Sequence, residues 1–466
     1  MKYNKSYLLI DPIYNNGDIP PNISLGQIEY QLINSGYNVE LVDFVEPSCE
    51  HGGLSDFFQM EQRFFLKILE KAQKANIVYI SGGYGNALKP YPFFPRIIQI
   101  AQLLKKAYPS LYIVAGGALI NYYKKIYNIS DTLIKKGLID YILVGNELSF
   151  IQLFTNGTFT NRRDLGYCNW HNWEIGKYPN YRSILYHIGC PYKCDFCFEG
   201  KIYNQNFIIE TQDSFINTMC SAIENGNIRN FIIEDSTFIS YKDFDTIIER
   251  IKDLGISFSI YARISEIIGY PSRVKQLKNA GCCAFIIGFE TLDDNFLIEQ
   301  NKGTKSSNNK YIISFLNDLG INIQGCFMLG FPQDTIDNMS RTIDYAIKQE
   351  LNGYRWHIFQ PNYNQLSPNF YSASKITTED HLLCQINIPD HLLGESIRLN
   401  PEICLLDEHF LPRAKNSLST YTMELESIGY HNRFNYSDLF NILMSMPSNM
   451  ILNEEKLYYE LFKPIQ

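Results

Sequence analysis

The chain has 466 residues, 45% of them hydrophobic and 19% charged, an ordinary globular composition long enough for two or three domains. Against 41 basic side chains stand 49 acidic ones, and the net charge of −8 speaks against non-specific binding to nucleic acid or to an anionic membrane surface. No apolar run reaches the length of a membrane span, the opening MKYNKSYLLIDP reads as a first strand and not as a secretory leader, and 11 cysteines spread over a long chain fit a reducing cytoplasm better than a disulfide scaffold.

Over residues 1–155 apolar strands alternate with helical spacing. Strands are predicted over 7–11, 38–42, 77–81, 111–115 and 141–144, and helices over 25–35, 58–71 and 95–107, with Leu25, Ile28, Leu32 and Ile33 on one helical face. The alternation implies βαβ units with helices on both faces, an α/β domain with a Rossmann-like (flavodoxin-like) parallel sheet. Ligands of such sheets sit at the carboxyl ends of the strands, and glycines occupy those ends: Gly82 and Gly83, Gly116 and Gly117, and Gly145. They would let a large ligand approach the backbone, or they are ordinary tight turns. Residues 156–181 lose the rhythm under Gly157, Gly166, Gly176 and Pro179. With Trp170 and Trp173 they read as a connector packed partly through its aromatics.

Alternation resumes at Ser183. Strands are predicted over 183–188, 230–234, 257–262, 284–288, 322–329 and 354–359, and helices near 211–224, 242–253, 271–279, 307–318 and 334–349. This is the pattern of a partial (β/α)6 parallel barrel over 182–362, with an open six-stranded sheet as the alternative. Residues 363–466, broken by Pro, Asn and Ser, are expected to form a mostly helical or irregular C-terminal capping domain, with candidate helices over 436–445 and 454–462.

One glycine after the first of these later strands, Cys190, Cys194 and Cys197 form a CxxxCxxC loop. Thiolates are the usual ligands of iron–sulfur clusters. A four-iron cubane held by three of them keeps one iron open to chelate the amino and carboxylate groups of a substrate. A structural zinc site wants four closed ligands. No second CxxC pair exists here, Cys282 and Cys283 are adjacent, and His187 is a conceivable fourth ligand.

With Phe196 before its last cysteine, the motif resembles that of the radical SAM superfamily. The resemblance implies that the open iron of a [4Fe–4S] cluster binds S-adenosylmethionine (SAM). An electron from the cluster then yields methionine and a 5′-deoxyadenosyl radical, which abstracts hydrogen from an unactivated C–H bond. Further segments match in order. Glu234 and Asp235 resemble an acidic stretch that meets the SAM ammonium, and Arg263 a SAM-carboxylate or positioning residue. Glu290, in Gly288-Phe289-Glu290, resembles a contact to the ribose hydroxyls, and Gly325 opens a segment like the adenine-side strand. Read alone, Glu234 or Arg263 is equally a surface charge or one half of an ion pair. Pro361-Asn362-Tyr363-Asn364 stands where many relatives carry a Pro-Gly-Thr turn, on the substrate side of the site.

Residues 7–153 resemble the cobalamin-binding domain found ahead of many radical SAM barrels, which implies cobalamin as a second cofactor. The Asp-x-His-x-x-Gly cobalt-ligand motif is missing, since the run from Asp11 to Gly17 holds no histidine. A scaffold or a docking surface for a peptide substrate is the other reading of this domain. With cobalamin, the implied reaction is C-methylation of a peptide or other natural product. Without it, the resemblance leaves radical chemistry such as peptide epimerisation, for which Cys326, Cys384 or Cys404 would donate hydrogen, although each also reads as a buried structural thiol. An iron–sulfur or zinc sensor or structural protein is the alternative of a different class. The expected partners are a peptide or small-molecule substrate and an electron donor such as flavodoxin or ferredoxin, in the cytoplasm, with neither nucleic acid nor membrane.

Overall fold

The computed structural model describes residues 5–15, 21–45, 54–82, 93–117, 120, 133–143, 150, 168, 170, 173, 177–197, 199, 208–331, 333–349 and 351–358. Among these, the residues up to His187 together with 208–228 form one compact unit, and 188–199 together with 229–358 form a second. The expected capping domain and its two candidate helices lie outside the described residues.

In the first unit the chain runs through β1 (Ser6–Asn15), α1 (Ile23–Asn34), β2 (Asn38–Val45), α2 (Leu54–Ala72), β3 (Ile77–Ser81), α3 (Phe93–Ala107), β4 (Tyr112–Gly116) and β5 (Tyr141–Ile142). All pairings are parallel and the strand order is β2-β1-β3-β4-β5, the flavodoxin-like order expected from the sequence. A central strand in a doubly wound sheet is covered on both faces. Tyr7, Leu8, Leu9 and Ile10 of β1 are accordingly at most 1% exposed. β1 runs beyond the expected Asp11 because its register shifts between Asp11 and Tyr14, around Pro12, which has no N–H to give the ladder. α1 starts where the Asn22 side chain accepts from the Leu25 N–H, and it buries Leu25, Ile28 and Leu32. Ile33 does not join them. It lies one residue, about 100° of helix, past Leu32 and is 42% exposed.

The aromatic connector packs as expected. Trp170, Trp173 and Tyr178 are buried, with ring centroids 6.4 Å apart for the tryptophans and 5.6 Å apart for Trp173 and Tyr178. The Tyr178 hydroxyl donates to Asp43. The expected strand over 183–188 is interrupted, giving the short strands β6 (Arg182–Ile184) and β7 (His187–Ile188). Between them the Tyr186 carbonyl accepts from the Glu210 N–H, which follows the short strand β8 (Ile208–Ile209). Helix α4 (Gln212–Gly226) starts at the Thr211 cap, and its Thr218 takes the Cys168 N–H at 3.1 Å and the Trp170 Nε1–H at its carbonyl at 3.0 Å.

The second unit continues as β9 (Asn230–Ile233), α5 (Phe244–Lys252), β10 (Ser257–Ala262), α6 (Ile264–Gly269), α7 (Pro271–Asn279), β11 (Cys282–Glu290), α8 (Asp294–Glu299), α9 (Ser307–Asp318), β12 (Asn322–Leu329), α10 (Ile336–Gln349) and β13 (Gly353–Ile358). Helices α6 and α8, six residues each, escape a periodicity reading because they are under two turns long. The strands are parallel and stand in the order β13-β12-β11-β10-β9. Each crossover moves one place in the same direction, the winding of a partial barrel, where a doubly wound sheet would reverse. Alternation sorts the side chains. Gly325 and Phe327 of β12 face the packed side, since a carbon added at Gly325 would meet Leu351, Phe327 and Phe289. Gln324, Cys326 and Met328 face the other side. Gly288 of β11 and Arg355 of β13 stand in register with Cys326.

Gly26 of α1 has no room for a side chain, because an added carbon would collide with the buried Cys168 sulfur. Gly26→Ala is expected to cost about 1–3 kcal/mol of stability in a denaturant unfolding curve. Cys168→Ala in the same chain should recover most of that loss. Additive losses in the double variant would show that the two sites do not meet.

Candidate functional site

The cysteine loop opens with Gly189 at φ 102°, a backbone region that favours glycine. Cys190 and Cys194 are buried and Cys197 is half-buried. The Cys197 N–H donates to the Cys194 carbonyl at 3.1 Å, which folds the second half of the loop into one turn. Burial pushes the Cys190 thiol up to about 12, with Glu199 and Cys197 adding to the effect. Burial likewise pushes Cys197 up to about 11, with Glu199 and Cys194 adding to it. Cys197 therefore lies within electrostatic reach of both Cys190 and Cys194, and the raised thiols of Cys190 and Cys197 keep their protons until a cation replaces them.

Among the described residues no three His, Cys, Asp or Glu side chains converge as a single metal ion requires. A cubane asks for something else. Each of its ligating thiolates takes a different iron, so the sulfurs surround a volume instead of meeting at a point. Three thiols on one loop, two buried and one half-buried, fit that demand. His187, the conceivable fourth zinc ligand, is buried, and burial pushes its imidazole down to about 4.

Of the expected SAM residues, Phe196 lies on this loop and Arg263 touches it, Glu234, Asp235 and Glu290 stand at strand ends, and Gly325 lies in the middle of β12. After β9, Asp235 is buried to 1% exposure and Glu234 is half-buried. Their neighbour Ser236 donates its hydroxyl to Glu199, which ties this turn to the cysteine loop. After β10, Arg263 is 8% exposed. Its Nη1 donates to the Cys194 sulfur at 3.0 Å, its Nη2 donates to the Lys302 carbonyl, and its guanidinium lies 3.8 Å from the Tyr192 ring centroid. At the end of β11, Glu290 has φ 63° and pairs with Lys302 at 2.5 Å. Phe196 is half-buried, packs on Phe296 and Phe331, and lies 5.5 Å from the Lys302 ammonium. Gly325 is placed with its Cα face toward the packed side of the sheet.

Of the hydrogen-donor candidates, Cys326 is half-buried on β12, and Cys384 and Cys404 lie outside the described residues. In the first unit, Gly82 donates its N–H to the Gly116 carbonyl at 2.5 Å, and a carbon added at Gly82 would stand 2.8 Å from that carbonyl. One at Gly116 would stand 2.7 Å from the Tyr79 hydroxyl. These two glycines let β3 and β4 close on each other. Gly117 follows at φ 104°, while Gly83 and Gly145 lie outside the described residues.

The sequence reading missed the turn after α8. Cys194 Sγ donates to the Asn301 carbonyl at 3.6 Å, the Asp195 N–H to the Gln300 carbonyl at 3.0 Å, and the Asn301 amide to the Asp195 carboxylate at 2.8 Å. The signal was present as Asn301-Lys302-Gly303, in which Asn301 (φ 54°) and Gly303 (φ 70°) are the residue types that accept a left-handed backbone. Glu199, Ser236 and Asp334 were missed as well. Each is one polar residue with no spacing pattern to mark it.

The first unit is a flavodoxin-like parallel sheet, and the second is a parallel sheet with three cysteines beside its strand ends. Residues 184–346 match the family model of the Radical SAM superfamily, so the chain carries a domain of that family, which implies a [4Fe–4S] cluster and SAM. Over 233 residues it is 27% identical to bacteriochlorophyllide d C-8(2)-methyltransferase of Chlorobaculum tepidum; the match covers 46% of this chain and 49%, about half, of that relative. The fold is similar to that of the radical SAM methyltransferase TsrM from Kitasatospora setae, solved with cobalamin and a [4Fe–4S] cluster bound, with a TM-score of 0.61 at 15% identity over 79% of this chain and 78% of that one. It is also similar to the cobalamin-dependent SAM radical enzyme OxsB with aqua-cobalamin bound, with a TM-score of 0.51 at 15% identity over 84% of this chain and 56% of that one. No helix among the described residues is long and apolar enough to cross a membrane.

Asp334 closes the site's far edge by accepting the N–H groups of Gly330 and Phe331 at 2.9 and 3.1 Å. Burial pushes its carboxyl up from 3.8 to about 7. The folded chain therefore holds this proton where the unfolded chain has lost it, and the group's contribution to stability falls as pH rises from about 4 to about 7. Asp334→Asn keeps an acceptor and removes the titration. It should flatten the decline, on the order of 2–4 kcal/mol, in urea unfolding across that range; an unchanged slope would contradict the assignment.

Proposed function

We propose that this chain cleaves SAM reductively at a [4Fe–4S] cluster held by Cys190, Cys194 and Cys197, and methylates an unactivated carbon of a peptide or other natural product with cobalamin held by the first unit. The observation that carries the reading is Arg263 donating to the Cys194 sulfur while it joins the Lys302 turn, whose ammonium pairs with Glu290. When bound, the cluster supplies the electron that breaks the carbon–sulfur bond of SAM, and cobalamin supplies a carrier for a methyl group. The chain's own residues bind and orient. Glu234 and Asp235 would take the SAM ammonium, Arg263 would face its carboxylate from beside Cys194, and Glu290 would accept from the ribose hydroxyls. Burial of Cys190 and Cys194 and the Phe196, Phe296 and Phe331 packing would keep water from the reacting atoms. For cobalamin, the support is the flavodoxin-like order, whose switch point lies between β1 and β3, and the match to a methyltransferase. A reductant of the flavodoxin or ferredoxin kind would deliver the electron.

The second reading is radical chemistry without cobalamin, such as peptide epimerisation. Cys326 favours it, since this half-buried thiol stands in register with Gly288, two residues before Glu290, on the face of β12 opposite Gly325. It would give a hydrogen atom to the product radical.

Anaerobic reconstitution with iron and sulfide, then dithionite and SAM, should give 5′-deoxyadenosine. Cys194→Ala should lower its formation by about 100-fold or more, the order of a lost essential step. Product formation at the parent rate in that variant would exclude the cluster. A corrinoid spectrum retained after incubation with hydroxocobalamin and desalting is expected, and its absence would rule out methyl transfer in favour of the second reading.

A further inference from the structure

The turn after α8 holds a lysine that neither the motif nor the family segments account for. The Lys302 side chain is 7% exposed, its partner Glu290 is 9% exposed, and the two meet at 2.5 Å. A buried ion pair is a poor source of stability, because desolvating both charges offsets most of their attraction. The pair therefore calls for a reason in the site.

Glu290 sits at φ 63°, a conformation that costs a side-chain-bearing residue and persists only where its surroundings impose it. The β11 register shifts between Gly288 and Glu290, so the strand end bulges and the glutamate folds back over Gly288. A carbon added at Gly288 would meet both the Glu290 carboxylate and, at 2.7 Å, the Lys302 ammonium. Lys302 itself lies between two left-handed residues, Asn301 and Gly303. That backbone lets its carbonyl accept from Arg263 while its ammonium turns to Glu290 and to the Phe196 ring, 5.5 Å away. One residue thus touches the arginine on Cys194, the carboxylate at the end of β11 and the aromatic of the cysteine loop.

We propose that Lys302 is the positioning residue of the SAM site: its ammonium fixes Glu290 for the ribose hydroxyls, and its carbonyl separately fixes Arg263 on Cys194. The inference rests on the SAM reading above. It divides the residue's work in two. Substituting the side chain removes the hold on Glu290 and leaves the main-chain link to Arg263, so cluster loading and SAM affinity should part company.

The test uses the full chain reconstituted anaerobically, comparing the parent with Lys302→Met, Lys302→Arg, Gly288→Ala and Lys302→Met combined with Glu290→Gln. Iron and sulfide per chain and the dissociation constant of unreduced protein for radiolabelled SAM are measured for each. Parent-level iron is expected throughout. SAM binding should weaken by about tenfold or more in Lys302→Met and Gly288→Ala and by less in Lys302→Arg, and the double variant should be no weaker than Lys302→Met alone. Parent affinity in Lys302→Met overturns the proposal. Iron lost in step with affinity in Lys302→Met and Gly288→Ala also overturns it, since that marks a merely structural residue. Should Lys302→Met not fold, Lys302→Arg and Gly288→Ala carry the same comparison. A parent protein that binds iron but no SAM overturns the SAM reading and this inference with it, whereas parent affinity in the variants overturns the inference alone.

Discussion

A buried arginine donating to a buried sulfur ties the second unit's functional groups together. Arg263 reaches Cys194 at 3.0 Å from the end of β10, with only 8% of its surface exposed. A guanidinium in so dry a place needs anionic or carbonyl partners on several sides. It finds the sulfur, the Lys302 carbonyl and the face of Tyr192. That charge adds to the direct hydrogen bonds by which Cys194 and Asp195 already hold the cysteine loop to the turn after α8. Through the Lys302 carbonyl it also joins the loop that would hold the cluster to the residue whose ammonium pairs with Glu290.

The sheet explains why these groups meet. Five parallel strands in sequential order bring all their carboxyl ends to one edge, and the ends of β9 to β12 carry functional or polar segments: Glu234-Asp235, Arg263, Glu290, and Gly330 with Asp334. Phe231, Ile260, Phe285 and Ile323 are at most 1% exposed and make the strands behind that edge rigid. Near the cysteine loop, Gly189, Glu290, Asn301 and Gly303 all have positive φ. Positive φ in the non-glycine Glu290 and Asn301 beside the cysteine loop is the pattern of a site in which local strain is held by the surrounding fold.

Much of this was legible in the sequence. The period of apolar runs located β3, β10 and β12 residue for residue and implied parallel sheets in both units, because a buried parallel strand is apolar throughout. The cysteine spacing marked the candidate metal site directly. Other features had no such signature. The bulge that lengthens β1 depends on pairing with β2, and the break between Ile184 and His187 on a partner at Glu210. Lys302 and Glu199 are far in sequence from the groups they touch, so no local pattern points to them. Gly116 makes room for the Tyr79 ring, a close approach that no local pattern marks.

The central claim is that Cys190, Cys194 and Cys197 hold a cluster whose open iron takes SAM. The paramagnetic resonance spectrum of the reconstituted, reduced protein with and without SAM addresses it most directly. A shift of the cluster's g-values when SAM is added is the expected result. A reduced cluster whose spectrum ignores SAM, or a protein that loads zinc in place of iron, would contradict it.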